Sequence, residues 1–324
     1  MVNDAQPISL SSDDAPTISV VIPTYNRADV LPRTLDSVLE QTYNNIELVV
    51  VDDASTDATK SIVKGYEDPR IRYISHKKNS GGSAARNTGL KAAKGAFVAF
   101  LDDDDEWHPR KIEAQLKTYN EAHESVGVVY SGIKNVDSKG RTNSVKTPKI
   151  EGEVTKELLL ENFIGSFSAL LVDSGTINST GLLDERFPSW QDWEYYIRLS
   201  KEAHFAAVPE PLVVRYNADH EQISDDLETK ITETYPLLYK KFDDCAAEYG
   251  QWFRRRRRGC LLFHLGYAAL SNNQYALARE FLTKSILYNP TNFESYVYWF
   301  SALGGRCTYR TSQTIKRWLV RQFS

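Results

Sequence analysis

The sequence predicts an α/β protein: a mixed, mostly parallel sheet flanked by helices, followed by an all-α C-terminal region. Three observations carry this. Over the first hundred residues, short apolar runs alternate with segments of helical periodicity. Polar clusters fall just where the apolar runs end. Beyond about Ile223 every periodic segment is helical.

The elements follow in order. "TISVVI" (Thr17–Ile22) is a β-rich run ended by Pro23. From Ala28 to Gln41, Val30, Leu31, Leu35, Val38 and Leu39 share one helical face. "IELVVV" (Ile46–Val51) is continuously apolar, as a strand covered on both faces must be. Ser55 reads as the cap of a helix near Asp57–Gly65. "IRYIS" (Ile71–Ser75) is a third strand, Ser83–Lys94 a third helix, and "AFVAFL" (Ala96–Leu101) a fourth strand. Short links between such units imply parallel strands with helices on both faces. Further on, "VGVVYSGIKNV" and "AVPEPLVVRY" read as strands, with a turn at Asp137–Thr142 between them. "FSALLV" (Phe167–Val172) is a short strand, and Asp192–Ala203 has helical spacing.

In open α/β sheets, chemistry gathers outside the carboxyl ends of the strands. "PTYNR" (Pro23–Arg27) follows the first strand, Asp52 and Asp53 end the second, and Asp102–Asp105 end the fourth. Three strands thus deliver polar groups toward one edge. The aspartates, in "FLDDDDEWHP", are the hardest to explain structurally. An acidic start is favoured for the helix expected near Pro109, but a cap needs one carboxylate, and here are four plus Glu106. A hard divalent cation, Mn²⁺ or Mg²⁺, would offset their repulsion and bridge phosphates through one or two carboxylates.

Composition narrows the class. The 324 residues are 41% hydrophobic and 25% charged, enough for a substantial core. No apolar run approaches the roughly 18 residues of a spanning helix. The start, residues 1–16, lacks a basic and apolar leader and reads as a flexible lead-in. Three unclustered cysteines argue against a disulfide or zinc framework and point to a reducing cytoplasm. Charge is uneven. Residues 251–324 carry 12 basic and 2 acidic side chains, and residues 1–250 carry 27 basic and 41 acidic.

"VVIPTYNR", "VVVDDASTD", "GGSAARNTGL", "AFVAFLDDDDEWHP" and "QDWEYYIRL" occur in this order. Together they resemble the family 2 glycosyltransferases, which have the Rossmann-like GT-A fold. The resemblance covers about residues 17–224, leaving 225–324 as a helical C-terminal region. It implies that Pro23, Thr24, Tyr25, Asn26, Arg27 and Asp53 hold the nucleoside of a nucleotide-sugar. An aspartate accepts the ring N–H of a uracil, which points to a UDP-sugar. It implies that Arg86 lies near the nucleotide, pairing with phosphate or holding a carboxylate. The family's D-x-D metal motif falls on Asp102, Asp103 and Asp104. By position Asp104 is the metal ligand, Asp102 and Asp103 serve the nucleotide side, and Asp105 caps the next helix. Asp192 matches the family's general base, which takes the acceptor's proton as its hydroxyl attacks the anomeric carbon with inversion. On the residues alone, Asp192 reads as a helix cap. Gln191 stands where the family usually has glutamate. His220 matches a histidine that reaches the metal or diphosphate in the family, and read alone it is a surface or packed residue.

The absence of a Q-x-x-R-W motif points away from processive polysaccharide synthesis, toward addition of a single sugar. The expected acceptor is a lipid-linked glycan, for surface polysaccharide or protein N-glycans, reached from the cytoplasm. Residues 260–290 resemble one tetratricopeptide repeat, read either as a docking groove or as a cap on the catalytic domain. Arg254–Arg258 and the basic, aromatic segment 311–324 fit either an anionic membrane surface or the chain's own acidic part. No nucleic-acid module is present in the pattern. A nucleotidyltransferase on a similar sheet and a non-catalytic scaffold are the alternatives. The first lacks its glycine-rich phosphate loop in "PTYNRAD", and intact Asp53, Asp104 and Asp192 argue against the second.

Overall fold

The computed structural model describes residues 15–137, 140–217 and 226–304. Its strands are β1 (Ile18–Thr24), β2 (Ile46–Asp52), β3 (Ile71–Ser75), β4 (Phe97–Phe100), β5 (Asp105–Trp107), β6 (Val126–Asp137), β7 (Thr142–Lys146), β8 (Leu170–Asp173) and β9 (His204–Asn217). They form one sheet in the order β3-β2-β1-β4-β8-β6-β9-β5, with β7 on β6. The β3-β2-β1-β4 half is parallel. Beyond β4 the sheet is mixed: β8 is antiparallel to β4 and β6, β9 is parallel to β6, and β5 is antiparallel to β9. The α/β expectation holds, with parallel pairing through β3-β2-β1-β4 and again between β6 and β9.

The chain clusters into two compact units. The first comprises residues up to Gly152 with Ile164–Leu183 and Lys201–Ala218. It contains the sheet and the helices α1 (Leu31–Leu39), α2 (Thr59–Gly65), α3 (Gly82–Ala92) and α4 (Lys111–Glu121). Val20, Val21, Ile22 and Leu48 through Val51 are fully buried, as strands covered on both faces require. α1 carries a proline in its first turn and buries Leu31, Leu35 and Val38, each worth about 2 kcal/mol of transfer free energy. α3 lies so close to β1 that a Cβ on Gly89 would sit 2.2 Å from Val21 Cγ1. α4 begins at Lys111, whose fully buried ammonium donates to Gln115 Oε1 at 2.7 Å and lies over the Trp107 ring. Burial holds that amine well below the usual lysine range.

Three local expectations are corrected. The first helix starts at Leu31, not Ala28, because the Arg27 carbonyl takes the Val30 and Leu31 N–H groups in a turn. Ser55 does not cap α2, which begins at Thr59; its hydroxyl accepts the Asn26 N–H at 2.9 Å, and Asp57 binds the Thr59 N–H. Asp105 does not cap the helix after Pro109. It opens β5 and is buried, with Ser168 Oγ donating to its carboxylate at 2.6 Å.

The second unit takes Glu153–Phe163, Asp184–Ser200 and the C-terminal part of the chain. α5 (Thr155–Leu158) belongs to it, α6 (Ser174–Thr180) belongs to the first, and α7 (Gln191–Glu202) lies mostly in the second. It continues with α8 (Leu227–Thr229), α9 (Tyr235–Lys241), α10 (Asp243–Glu248), α11 (Gln251–Ser271), α12 (Tyr275–Tyr288) and α13 (Phe293–Leu303). α11 and α12 form the helical hairpin expected over 260–290, and Leu270, Ala278, Leu282, Tyr298 and Ala302 join it to α13. Four of the five arginines near its start make contacts within this unit. Arg254 pairs with Asp243, Arg255 donates to the Leu287 carbonyl, and Arg258 lies over Tyr288. Arg257 is buried and donates to the Leu238 and Tyr239 carbonyls at the end of α9, where a cation complements the helix dipole. The expected basic tail 311–324 lies outside the described residues.

Candidate functional site

The strand order reverses at β1: β2 and β3 lie on one side, β4 on the other. A crevice opens at such a switch point, outside the carboxyl ends of the strands. The loops after β1 and β4 therefore meet there. Thr24 is level with Asp52 across the sheet, and Leu101 N donates to the Val21 carbonyl at 3.1 Å.

On the β1 side, Pro23 is the penultimate residue of the strand and Thr24 its buried last residue. Asn26 adopts a positive φ of 52°, which asparagine tolerates better than most residues. Its side-chain oxygen accepts the Thr56 N–H at 2.8 Å, tying this loop to the one after β2. Tyr25 is 43% exposed, leaving its ring free to stack on a ligand. Asp53 is buried and already engaged. Its carboxylate accepts from the Ser80 N–H at 2.9 Å, the Gly81 N–H at 2.7 Å and the His76 ring at 2.7 Å. A carboxylate oxygen accepts, so His76 donates to it through Nδ1, and its Nε2 lies 2.9 Å from Thr88 Oγ1.

On the β4 side the aspartates separate by their neighbours. Arg86, buried in α3 and lying over the Phe167 ring, bonds the Asp102 carboxylate, which also accepts from Ser166 Oγ at 3.1 Å. Arg86 thus holds a carboxylate. Asp103 faces Arg27 at 3.7 Å, joining the β1 and β4 loops directly. Burial and the Asp104 charge push the Asp103 carboxyl up to about 7. Asp104 is also raised, by burial and then by Asp102, against the pull of Arg27 and Arg215. Among the described residues, no other residue hydrogen-bonds the Asp104 side chain. Asp105 is raised well above the carboxylate range by burial and by the Asp102 and Asp104 charges. Two buried polar atoms on α3, Ser83 Oγ and Arg86 Nε, lack a partner among the described residues.

That donor set fits a divalent cation. Crowded carboxylates with raised pKa values are relieved by positive charge, and oxygen donors match Mn²⁺ or Mg²⁺. No three His, Cys, Asp or Glu side chains among the described residues are already clustered as a ligand set. An ion shared between one or two carboxylates and a diphosphate does not need such a cluster. His220 lies outside the described residues.

Asp192 belongs to the second unit, in the first turn of α7. The helix starts at Gln191, so Asp192 does not precede it as a cap would. Its Oδ1 accepts the N–H of the next residue, Trp193, at 2.8 Å, and its Oδ2 accepts from Asn162 Nδ2 at 2.8 Å. Trp193 is buried and donates its indole N–H to the Leu158 carbonyl at 2.5 Å, which anchors the turn. Gln191 turns back to the Pro188 carbonyl at 3.4 Å.

Ser166, Ser168, His76 and Asn162 were not singled out from the sequence. Each acts across a long stretch of chain, with partners 64, 63, 23 and 30 residues away. No local pattern marks a lone serine or asparagine for such a role.

Comparison with known proteins agrees with this architecture. The family model "Glycosyl transferase family 2" matches residues 19–174. An uncharacterized glycosyltransferase of Rickettsia bellii is 35% identical over 196 residues, covering 58% of this chain but only 28% of that protein. The chain therefore spans well under two thirds of that relative's length. The Escherichia coli protein named UDP-Glc:alpha-D-GlcNAc-diphosphoundecaprenol beta-1,3-glucosyltransferase WfgD is 32% identical over 194 residues, covering 59% of this chain and 72% of WfgD. Among solved structures, S. aureus TarS 1-349 in complex with UDP-GlcNAc gives a TM-score of 0.58 at 20% identity, over 89% of this chain and 80% of that one. At that identity the likeness speaks to the fold alone, and the fold is GT-A-like. Strand order, the five ordered motifs and the extent of the WfgD match lead to one conclusion: the chain belongs to glycosyltransferase family 2.

Proposed function

We propose that this protein transfers a single sugar from a UDP-sugar to an acceptor hydroxyl, with inversion at the anomeric carbon. The observation that carries the reading is the junction of the β1 and β4 loops through Arg27 and Asp103, beside an Asp104 carboxylate that no other described residue hydrogen-bonds. Thr24, Tyr25, Asn26 and Arg27 form the nucleoside side. Asp53 shapes that side by holding the Ser80–Gly81 turn rather than by offering a free carboxylate. Arg86 fixes Asp102, and Asp104 holds Mn²⁺ or Mg²⁺, with His220 as a second ligand. The cation, when bound, neutralises the diphosphate as it leaves. Asp192, oriented by Asn162, takes the proton from the acceptor hydroxyl.

The relatives support the donor and acceptor classes. WfgD is named for a UDP-linked glucose and a diphosphoundecaprenol-linked acceptor, and TarS was solved with UDP-GlcNAc. A lipid-linked glycan is accordingly the proposed acceptor here. No helix among the described residues is long and apolar enough to cross a membrane. Contact with an anionic membrane rests on residues 311–324 and is proposed from their sequence. The C-terminal hairpin is proposed as a packing element of the helical region rather than a docking groove, since its inner face is filled by α13.

The test is UDP release from a panel of UDP-sugars, with a polyprenyl-diphosphate-linked sugar as acceptor, in Mn²⁺ and in chelator. Release that needs both acceptor and cation is expected, with one sugar added per acceptor. Release from no UDP-sugar under any condition overturns the reading. Asp104→Ala should abolish the cation dependence; unchanged dependence would remove Asp104 as the ligand.

A further inference from the structure

Helix α1 has a second buried face besides its apolar one. Thr34 and Ser37 lie along it, Gln41 follows two residues past the helix end, and all three are buried; Arg33 flanks them. Each meets the backbone of the acidic loop or its continuation. Arg33 Nη2 donates to the Asp104 carbonyl at 2.9 Å. Thr34 Oγ1 lies 2.9 Å from the Asp103 carbonyl and 2.8 Å from the Asp105 carbonyl, and shares its one proton between them. The Trp107 N–H donates to Ser37 Oγ at 3.2 Å. Gln41 donates to the His108 carbonyl at 2.9 Å and accepts the Ile112 N–H at 3.1 Å. Arg33 also stacks on Tyr216 at 3.5 Å, and the Tyr216 hydroxyl donates to Glu106 at 2.8 Å.

This grip has a consequence for the aspartates. Adjacent carboxylates repel, and a loop held only by its ends would splay to separate them. α1 binds three successive carbonyls, 103 to 105, and none of their carboxylates. The backbone is fixed on one side, while the side chains are left to other partners. The Asp104 side chain feels the Arg27 and Arg215 charges, but no other described residue hydrogen-bonds it.

We propose that Arg33 and Thr34 are positioning residues: they preset the Asp104 carboxylate for a divalent cation by clamping the loop's carbonyls. This rests on the reading that Asp104 takes the metal. Groups that orient metal ligands change metal affinity by about 10- to 100-fold when removed.

The experiment is a Mn²⁺ titration of the full chain in the presence of UDP, followed by the electron paramagnetic resonance signal of the free ion. Thr34→Val keeps the shape and loses the hydroxyl. It should weaken Mn²⁺ binding about 10-fold, and Thr34→Ser should restore it to within about two-fold. Arg33→Met should weaken it in the same direction, which keeps the proposal testable if Thr34→Val does not fold. In turnover, the Mn²⁺ concentration at half-maximal rate should rise while kcat at saturating Mn²⁺ changes little. If the wild type binds Mn²⁺, Asp104→Ala does not, and both Thr34→Val and Arg33→Met bind as the wild type does, the positioning role is overturned and the metal reading stands. If the wild type itself binds no Mn²⁺, both fall.

Discussion

Asp102 is held by Arg86 and Ser166, Asp103 faces Arg27, and Asp105 accepts from Ser168, while Asp104 is bonded by no other described side chain. The run was conspicuous in the sequence because four like charges end an apolar strand, a pattern with no structural use. Its division of labour was not legible, because it depends on serines more than 60 residues away. The expectation for Asp105 failed for that reason: a hydroxyl pair outcompeted the helix end for its carboxylate. Asp192 is the converse case. Its place before an apolar-periodic run was visible, but the Asn162 amide that orients it was not. Asp192→Asn keeps the shape and most of the hydrogen bonding but cannot take a proton. Donor binding, measured by UDP calorimetry, should match the wild type, and transfer should fall about 10²- to 10⁴-fold. Full transfer activity in that variant would remove Asp192 as the base.

At the level of elements, continuous apolar runs located β1, β2 and β4 to within a residue or two, because strands buried on both faces admit little else. Helix starts were harder to place. They are decided by which oxygen reaches the first free N–H groups, and at α2 Asp57 does so while Ser55 turns to Asn26. The polar face of α1 was also hidden, since periodicity weighs the apolar positions and passes over Thr34 and Ser37. α3 shows how tightly an element can be constrained. Gly89→Ala would place a methyl 2.2 Å from Val21 Cγ1 in β1. Helix propensity favours alanine by up to about 1 kcal/mol, but overpacking costs about 1–3 kcal/mol. A net loss of stability is expected in urea unfolding, with the slope unchanged. Equal or greater stability would mean that α3 can move away from β1.

Over the whole molecule, the sequence sets an acidic first 250 residues against a basic remainder. The charge count was legible, but not its local use, since Arg254, Arg255, Arg257 and Arg258 are each committed to a contact within the second unit. In the same unit Lys241 joins Asp184 and Glu194, both at 2.7 Å. The Arg186 hydrogen bond, and then Lys241, hold the Asp184 carboxyl below its ordinary value. A carboxyl depressed in the folded state adds stability above its unfolded pKa of about 4 and loses it as pH falls below that. Asp184→Asn should therefore cost about 1 kcal/mol at pH 7 and less near pH 2, read from denaturant unfolding at the two pH values. An equal cost at both would mean that packing, not charge, is what the side chain supplies. Asp53 has a different kind of reach. The Ser80 and Gly81 amides and the His76 ring all converge on its one carboxylate. Bonds that share a single acceptor are lost together when that acceptor moves. The two amides should then exchange with deuterium as a pair, at one rate, and slow down together when a nucleotide fills the crevice.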